Sequence, residues 1–203
     1  MHFLFDKRAV EIHFYKRSNI MDNGASSYRR FLDGDQSGFD EIIKDYRVPL
    51  IYFINGFLNN IDESEDVAEE AFMELIVHPR RYSFRSSFKT YLFTIARNKA
   101  VDRVRREKKL SPLQIDDMEL EDIERFDRDI LKNENSQMLQ SAMKKINPEY
   151  AVLLRLLYFE DMTSEQAGKI LKKNKRQIAN LTYRAKNSLR RAMEEEGFSY
   201  EEL

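Results

Sequence analysis

Between residues 77 and 110 the sequence interleaves cationic and aromatic side chains in a pattern that suits nucleic acid. The block holds eleven Lys or Arg residues against two acids, Asp102 and Glu107. Unpaired bases stack on aromatic rings while cations follow the phosphate backbone, so the combination favours a single-stranded ligand. Asn98, Asp102 and Arg105 would share one stripe of a helix and could read an extruded base. The interleaved residues are Arg80, Arg81, Tyr82, Phe84, Arg85, Phe88, Lys89, Tyr91, Phe93 and Arg97.

A second cationic block, residues 169–193, holds nine Lys or Arg residues and no acid. Thr163 and Gln166 have the spacing of a helix capping box, and Asn174 and Gln177 repeat it. Two helix N-termini that lie close together in the sequence, with a tight turn between the helices, predict a helix-turn-helix. The second helix of this motif enters the major groove of duplex DNA. Arg176, Gln177 and Asn180 are placed to pair with bases, and the later cations to hold phosphates. The open side of that second helix would carry Lys175, Arg176, Gln177, Asn180, Tyr183, Arg184 and Lys186.

Other kinds of chemistry find little support in the composition. The chain has no Cys and three scattered His residues, which excludes thiolate chemistry and predicts no metal site and no cofactor. None of the common hydrolase, metalloprotease or P-loop motifs occurs, so we expect no enzyme activity. No apolar run is long enough for a membrane span, and charged residues make up 34% of the chain.

The elements that must position these residues are all helical, because apolar residues recur at spacings of three and four and Gly and Pro are few. A first helix is expected near 27–32, and a second from Phe39 to Phe57, bent or interrupted at Pro49. Ser64 is the expected N-cap of an acidic helix that buries Val67, Phe72, Leu75 and Ile76 and ends before Pro79. The next helix would begin at Ser86 or Ser87 and bury Phe88. Tyr91 and Phe93 cannot both face inward on it.

Charge and periodicity divide the chain into two small helical domains. Residues 110–135 hold spaced acids, isolated apolar residues and a Pro, which predicts an acidic linker. The fold class is therefore all-α, with a helical bundle at 21–109 and a helix-turn-helix domain at 136–194. Residues 195–203 form an acidic tail, and residues 1–20 are expected to be a disordered extension or a start-site artefact.

In this order, three segments resemble the extracytoplasmic-function (ECF) group of bacterial sigma factors, of the sigma-70 family. They are EDVAEEAF at 65–72, SFKTYLFTIARN at 87–98 and VDRVRR at 101–106. Residues 27–109 resemble the family's region 2, and residues 137–194 resemble region 4. The chain departs from the family at Glu69, usually Gln, at Tyr91, often Trp, and at the Lys175-Arg176 pair, so no promoter sequence is carried over.

The resemblance implies a cytoplasmic transcription initiation factor with two DNA sites and one polymerase site. Promoter DNA would be bound both as single strand and as duplex, and an anti-sigma factor is an expected partner. The minus-ten element would be melted and read by Ser83, Phe84, Arg85, Ser86, Lys89, Tyr91, Arg97, Asn98, Asp102, Arg105 and Arg106. The minus-thirty-five element would be read by Thr163, Lys175, Arg176, Gln177, Asn180, Tyr183, Arg184 and Lys186. The clamp helices of the core polymerase beta-prime subunit would be bound by Asp66, Glu69, Glu70, Phe72, Glu74 and Leu75.

Two other functions remain open at this point. A stand-alone transcriptional regulator would use only the helix-turn-helix on duplex DNA, and would not need the aromatic and basic residues at 80–106. A protein-interaction module would use the basic faces against an acidic partner. The acidic helix at 65–74 could equally be a solvated surface.

Overall fold

Eight α-helices account for nearly all of residues 23–110 and 134–198, the parts that the computed structural model describes. The first unit contains α1 (Asn23–Leu32), α2 (Ser37–Leu58), α3 (Ile61–Val77), a 3-10 turn (Pro79–Arg81) and α4 (Phe88–Leu110). The second contains α5 (Glu134–Lys145), α6 (Pro148–Leu154), a π-helical turn (Arg155–Phe159), α7 (Ser164–Leu171) and α8 (Lys175–Glu195). These elements confirm the all-α class. The predicted extension, the acidic tail beyond Phe198 and residues 111–133 of the predicted linker lie outside the described residues.

Local capping decides where several helices begin. Asn60, not the predicted Ser64, caps α3: the Asn60 side chain accepts a hydrogen bond from the Glu63 backbone N–H. Ser64 is buried one turn into the helix, where its hydroxyl donates to the Asn60 carbonyl at 2.5 Å. Ser87 Oγ accepts from the Thr90 backbone N–H at 3.2 Å, as the expected start at Ser86 or Ser87 requires.

Pro49 does not interrupt α2, which runs unbroken from Ser37 to Leu58. Helix α1 packs against the first turn of α2 at Gly38, where an added Cβ would be 2.2 Å from the Ser27 carbonyl oxygen. Tyr28 lies in the centre of the first unit and is fully buried. Its hydroxyl hydrogen is shared between the carbonyls of Leu75 and Pro79, at 2.9 and 3.0 Å. Burial, followed by the effect of Tyr91, raises the pKa of Tyr28 to about 12.

The two helical units are in contact rather than separate. One cluster of buried apolar residues continues from the first unit into α6, α7 and the start of α8. A second cluster, which includes Leu154 and Leu189, belongs to the second unit alone. The sequence predicts two cores; contact between them could not be foreseen, because it depends on residues far apart in the chain. No helix in the described ranges is long and apolar enough to cross a membrane.

Candidate nucleic-acid interface

Helix α4 presents two chemically different sides. On one side Arg103 pairs with Glu70 of α3 at 2.9 Å, and Lys99 lies 3.6 Å from the same carboxylate. On the other, the Asp102 side chain is 58% exposed and lies 3.7 Å from Arg105 one turn away. Phe93, Ala96 and Ala100 are buried and fix the rotation of α4. As a result Asp102 and Arg105 of the predicted stripe are exposed, whereas Asn98 is only partly exposed.

Two cations next to this stripe differ in their freedom. Arg97 is partly buried, and its Nη1 donates to Asn98 Oδ1 at 3.3 Å. Its Nε is buried without a hydrogen-bond partner among the described residues. Arg106 is exposed on the following turn and forms no ion pair within the described ranges. The predicted base-reading stripe therefore has one anchored arginine at its N-terminal end and one free arginine at its C-terminal end.

The loop before α4 exposes Ser83, Phe84 and Arg85. Tyr82 holds this loop in place, since its hydroxyl donates to the Ser86 carbonyl at 2.7 Å and its ring lies 4.5 Å from that of Phe84. Phe84 adopts a left-handed backbone conformation, with φ of 59°, and its residue surface is 36% exposed. Non-glycine residues seldom adopt this conformation unless their surroundings hold them there.

Arg29 of α1 lies against the exposed loop as well. Its guanidinium carbon is 4.8 Å from the centre of the Phe84 ring, a favourable cation–π distance. Sequence reasoning missed Arg29, because it precedes the basic block by about fifty residues and nothing local connects it to the loop.

Most of the interleaved aromatic residues form core rather than surface. Tyr82, Phe88 and Phe93 are buried, and Phe93 is the inward member of the pair with Tyr91. Tyr91 is partly buried and stacks on Tyr82, with ring centres 4.9 Å apart. Burial, followed by the Glu74 carboxylate, raises the pKa of the Tyr91 hydroxyl. Of the five aromatic residues, only Phe84 is exposed enough to offer much of a ring to a base.

The helix-turn-helix has the geometry that its two capping boxes predict. Thr163 Oγ1 accepts from the Gln166 backbone N–H at 3.2 Å, and Asn174 Oδ1 from that of Gln177 at 2.9 Å. Lys172 ends α7 in a left-handed conformation, with φ of 56°, which turns the chain into α8. Ile178 and Leu181 are buried, which fixes the rotation of α8 about its axis.

That rotation exposes most of the predicted duplex-binding residues. The exposed residues are Lys175, Arg176, Gln177, Asn180, Tyr183 and Arg184. Tyr183 is 70% exposed, a high value for a residue of its size. Lys186 is partly buried, and its Nζ lies 5.3 Å from the centre of the Tyr158 ring.

Gln177 is less available for bases than the sequence suggests. Its Oε1 accepts from the Asn174 backbone N–H at 2.8 Å and completes the capping box. A bidentate pair with adenine needs both the oxygen and the nitrogen of the amide, so Gln177 cannot form one without opening the cap. Gln177 is therefore restricted to donating from its amide nitrogen, and Thr163 is likewise occupied by the cap of α7.

Helix α3 carries an acidic face, but not every residue predicted for it lies there. Asp66 and Glu69 are exposed and form no ion pair within the described ranges. Glu70 pairs with α4, and Glu74 pairs with Arg81 and lies 3.9 Å from Lys99. Phe72 and Leu75, predicted to contact a partner, are instead buried core residues.

Three apolar residues on α3 are exposed in their place. Met73, Ile76 and Val77 are 53%, 42% and 60% exposed, although Ile76 was expected to point inward. Helical spacing could have indicated Met73 and Val77, which follow Glu69 and Glu70 by one and two turns. The exposed side of α3 therefore carries carboxylates along its length and apolar side chains at its C-terminal end. A shallow groove along it is lined by Asp66, Glu69, Glu70, Met73, Glu74, Val77, Lys99 and Arg103.

Comparisons with known proteins agree on one family. Residues 42–110 match the family model for sigma-70 region 2. The chain is 24% identical over 170 residues to the ECF RNA polymerase sigma factor SigW of Bacillus subtilis, covering 79% of this chain and 91% of SigW. It is 26% identical over 172 residues to the RNA polymerase sigma-H factor of Pseudomonas aeruginosa, covering 79% and 89% of the two chains.

Two solved structures have a similar fold. One is the sigma factor RpoE in complex with the anti-sigma factor NepR from Bartonella quintana, with a TM-score of 0.58 and 17% identity. The match covers 77% of this chain and 96% of RpoE. The other is CnrH in complex with the cytosolic domain of CnrY, with a TM-score of 0.56 and 18% identity. That match covers 85% of this chain and 95% of CnrH.

Proposed function

We propose, since this chain belongs to the ECF group of RNA polymerase sigma factors, that it binds core RNA polymerase and directs it to a specific class of promoters. In this role it has no catalytic activity of its own. It acts in the cytoplasm, where the polymerase and the promoters are, and an anti-sigma factor controls it. Support for that last partner comes from a structural neighbour, RpoE of Bartonella quintana, which is solved in complex with the anti-sigma factor NepR.

The observation that carries the proposal is the presence of two different polar faces on two different helices. Helix α4 and the preceding loop combine an exposed ring, Phe84, with the polar stripe of Asn98 and Asp102. This combination suits an unpaired strand, in which a base is turned out of the stack. Helix α8 instead exposes Lys175, Arg176 and Asn180 near its N-terminus, as duplex recognition from the major groove requires.

The acidic face of α3 fits a third partner, which is a protein and not a nucleic acid. Phosphates would be repelled by Asp66 and Glu69, whereas a basic helical surface would be attracted. The exposed Met73, Ile76 and Val77 provide apolar area beside these charges. An interface with a charged part and an apolar part suits the clamp helices of core polymerase, which the family resemblance names as the partner.

In-vitro transcription tests the proposal. Purified protein is added to bacterial core polymerase on fragments of its own genome, and discrete transcripts are expected. An Asn98→Ala/Asp102→Ala variant should still bind core but lose those transcripts. A protein that yields none, does not bind core and yet shifts duplex DNA would instead be a stand-alone regulator.

A matched double variant separates the loss of the stripe from the loss of any two polar residues. Gln36 and Asp40 are also an amide and a carboxylate at a spacing of four. Gln36 directly precedes α2, Asp40 lies in its first turn, and both side chains are exposed. Gln36→Ala/Asp40→Ala should therefore transcribe as the unmodified protein does. Equal losses in both double variants would argue against a base-reading role for α4.

A further inference from the structure

Two neighbouring arginines of α1 have different surroundings. Arg30 is bound by carboxylates, since it pairs with Glu41 of α2 and lies 3.3 Å from Asp35. Arg29 is exposed and forms no ion pair within the ranges that the structure describes. Its guanidinium carbon lies over the Phe84 ring, 4.8 Å from the ring centre. Arg30 therefore belongs to the packing of α1 on α2, whereas Arg29 keeps a positive charge that no described carboxylate pairs with.

The residue before Arg29 fixes α1 against the segment that leads into the exposed loop. Tyr28 is fully buried, and its hydroxyl lies 2.9 Å from the carbonyl oxygen of Leu75 and 3.0 Å from that of Pro79. Its ring centre is 5.9 Å from that of Tyr82, the residue that holds the loop in place. The loop and α1 are therefore anchored to each other, and this anchor keeps Arg29 beside the loop.

An arginine that stacks on an aromatic ring still has its edge free for hydrogen bonds. Stacking uses the flat face of the guanidinium, whereas its five N–H donors point outward in the plane of the group. Arg29 can therefore contact the Phe84 ring and donate to a phosphate at the same time. A lysine is less suited to both tasks, because its ammonium is a point charge without a flat face.

The surroundings of the Phe84 ring suit a nucleotide with its phosphate. The exposed part of the ring can stack on an unpaired base, and Arg80 and Arg85 on either side of it in the chain are exposed without an ion pair in the described ranges. We propose that Arg29 belongs to the site for the unpaired strand, where it positions the Phe84 ring and binds a phosphate of the nucleotide that stacks on it. The strand then passes over α1 as well as α4. The inference rests on the proposed function and adds a contact residue from outside the basic block.

The salt dependence of binding tests the phosphate contact. The probe is a forked DNA cut from the promoter that gives the strongest transcript, with duplex upstream and a single strand from the minus-ten element onward. One phosphate contact to a single strand contributes about 0.7 to the slope of log affinity against log salt. From about 50 to about 200 mM salt, the affinity of holoenzyme carrying Arg29→Ala should therefore fall by a factor about 2.6 times smaller than that of the unmodified holoenzyme. At the lower salt concentration the variant should bind about 2- to 5-fold more weakly.

Two control variants and a second probe separate a phosphate contact from a loss of structure. Arg29→Lys should keep the slope, because the charge remains, but should bind the forked probe more weakly than the unmodified protein. Lys44→Ala removes one exposed positive charge from α2 and should change neither slope nor affinity. A duplex probe that ends upstream of the minus-ten element should bind equally well to every holoenzyme. An unchanged slope in Arg29→Ala, or the same change in Lys44→Ala or on the duplex probe, would overturn the proposal.

A double-mutant cycle tests whether Arg29 acts on the Phe84 ring. Because the two side chains are in contact, Arg29→Ala/Phe84→Leu should lose less affinity for the forked probe than the product of the two single losses. A loss equal to that product, in variants shown by thermal melting to fold, would overturn the positioning role. Transcription by the unmodified protein is measured first. A protein without transcripts would refute the proposed function and this inference with it, whereas a transcribing protein with an unchanged slope in Arg29→Ala would refute the role of Arg29 alone.

Discussion

Reversing one charge on α3 should separate polymerase binding from folding. Asp66 is exposed and has no ion-pair partner among the described residues. Its negative charge even opposes that of a neighbour: burial and the Glu107 carboxyl raise the pKa of Glu63, and Asp66 raises it further. Replacing Asp66 by Lys should therefore leave the free energy of unfolding unchanged or slightly higher. Any loss of polymerase binding would then come from the interface itself.

The expected size of that loss follows from the exposure of the site. A single exposed ion pair contributes about 0.2 to 1 kcal/mol, and charge reversal replaces this attraction by repulsion of similar size. Binding to core polymerase should weaken by about 1 to 2 kcal/mol, which is about a 5- to 30-fold loss of affinity. Glu70→Lys should behave differently, because Glu70 pairs with Arg103 at 2.9 Å and lies 3.6 Å from Lys99. It should lower the melting temperature as well as the affinity.

These affinities are measured by competition: each variant displaces a labelled sigma factor from core polymerase, at two salt concentrations. Asp33→Lys serves as the control, since Asp33 is an exposed carboxylate in the turn between α1 and α2. The weakening in Asp66→Lys should shrink as salt rises, because screening reduces surface electrostatics. The reasoning fails if Asp66→Lys binds core as the unmodified protein does, or if Asp33→Lys weakens binding equally.

Three further changes test the fold and the duplex site. Tyr28→Phe should lower the free energy of unfolding by about 1 kcal/mol at pH 8. The pKa of Tyr28 is about 12 in the folded state and near 10 in the unfolded state, so the unmodified protein should lose stability as the pH rises from 10 to 12. Urea unfolding across this pH range should show a smaller loss of stability in the variant. Asn174→Ala removes the N-cap of α8, so it should lower the free energy of unfolding by about 1 kcal/mol and weaken duplex binding. Asn187→Ala, at an exposed position of the same helix, should change neither the melting temperature nor the binding. Arg176→Ala should weaken binding to a selected duplex by about 1 to 3 kcal/mol. Arg190→Ala should have a smaller effect, because Arg190 forms an ion pair with Glu194 on its own helix. Equal effects of the two variants in filter binding would contradict a base contact by Arg176.

Features encoded over a few residues could be predicted from the sequence. Both capping boxes and the turn between α7 and α8 form as expected, since each depends on donors and acceptors within one helical turn. The start of α6 at Asn147 and Pro148 was predictable for the same reason. The cap of α3 was misplaced because Asn60 and Ser64 are both good capping residues, and the sequence alone does not tell which one adopts an extended backbone.

Features that depend on distant residues could not be predicted. Helical periodicity marks Phe72, Leu75 and Ile76 alike as apolar, but only the packing of neighbouring helices decides that Ile76 is exposed. Lys89 reads as a free cation in a basic block, and its partner Glu160 lies 71 residues away. No local sequence feature connects Lys89 with Glu160. The sequence pattern therefore predicts that Lys89 contacts DNA, whereas in the structure it forms an ion pair with the Glu160 carboxylate.

Ion pairs decide which positive charges of the two basic blocks can act on a polyanion. Part of the first block is neutralised by acids of other elements, since Arg103 pairs with Glu70 and Lys89 with Glu160. The exposed cations without an ion pair in the described ranges are Arg80, Arg85 and Arg106 in the first block, and Lys172, Lys175, Arg176, Arg184 and Arg191 in the second. These charges lie beside the loop, at the end of the α4 stripe and along the outer side of α8. Charge counted along the sequence therefore indicates the two candidate sites but overstates the positive charge that each can offer to a polyanion.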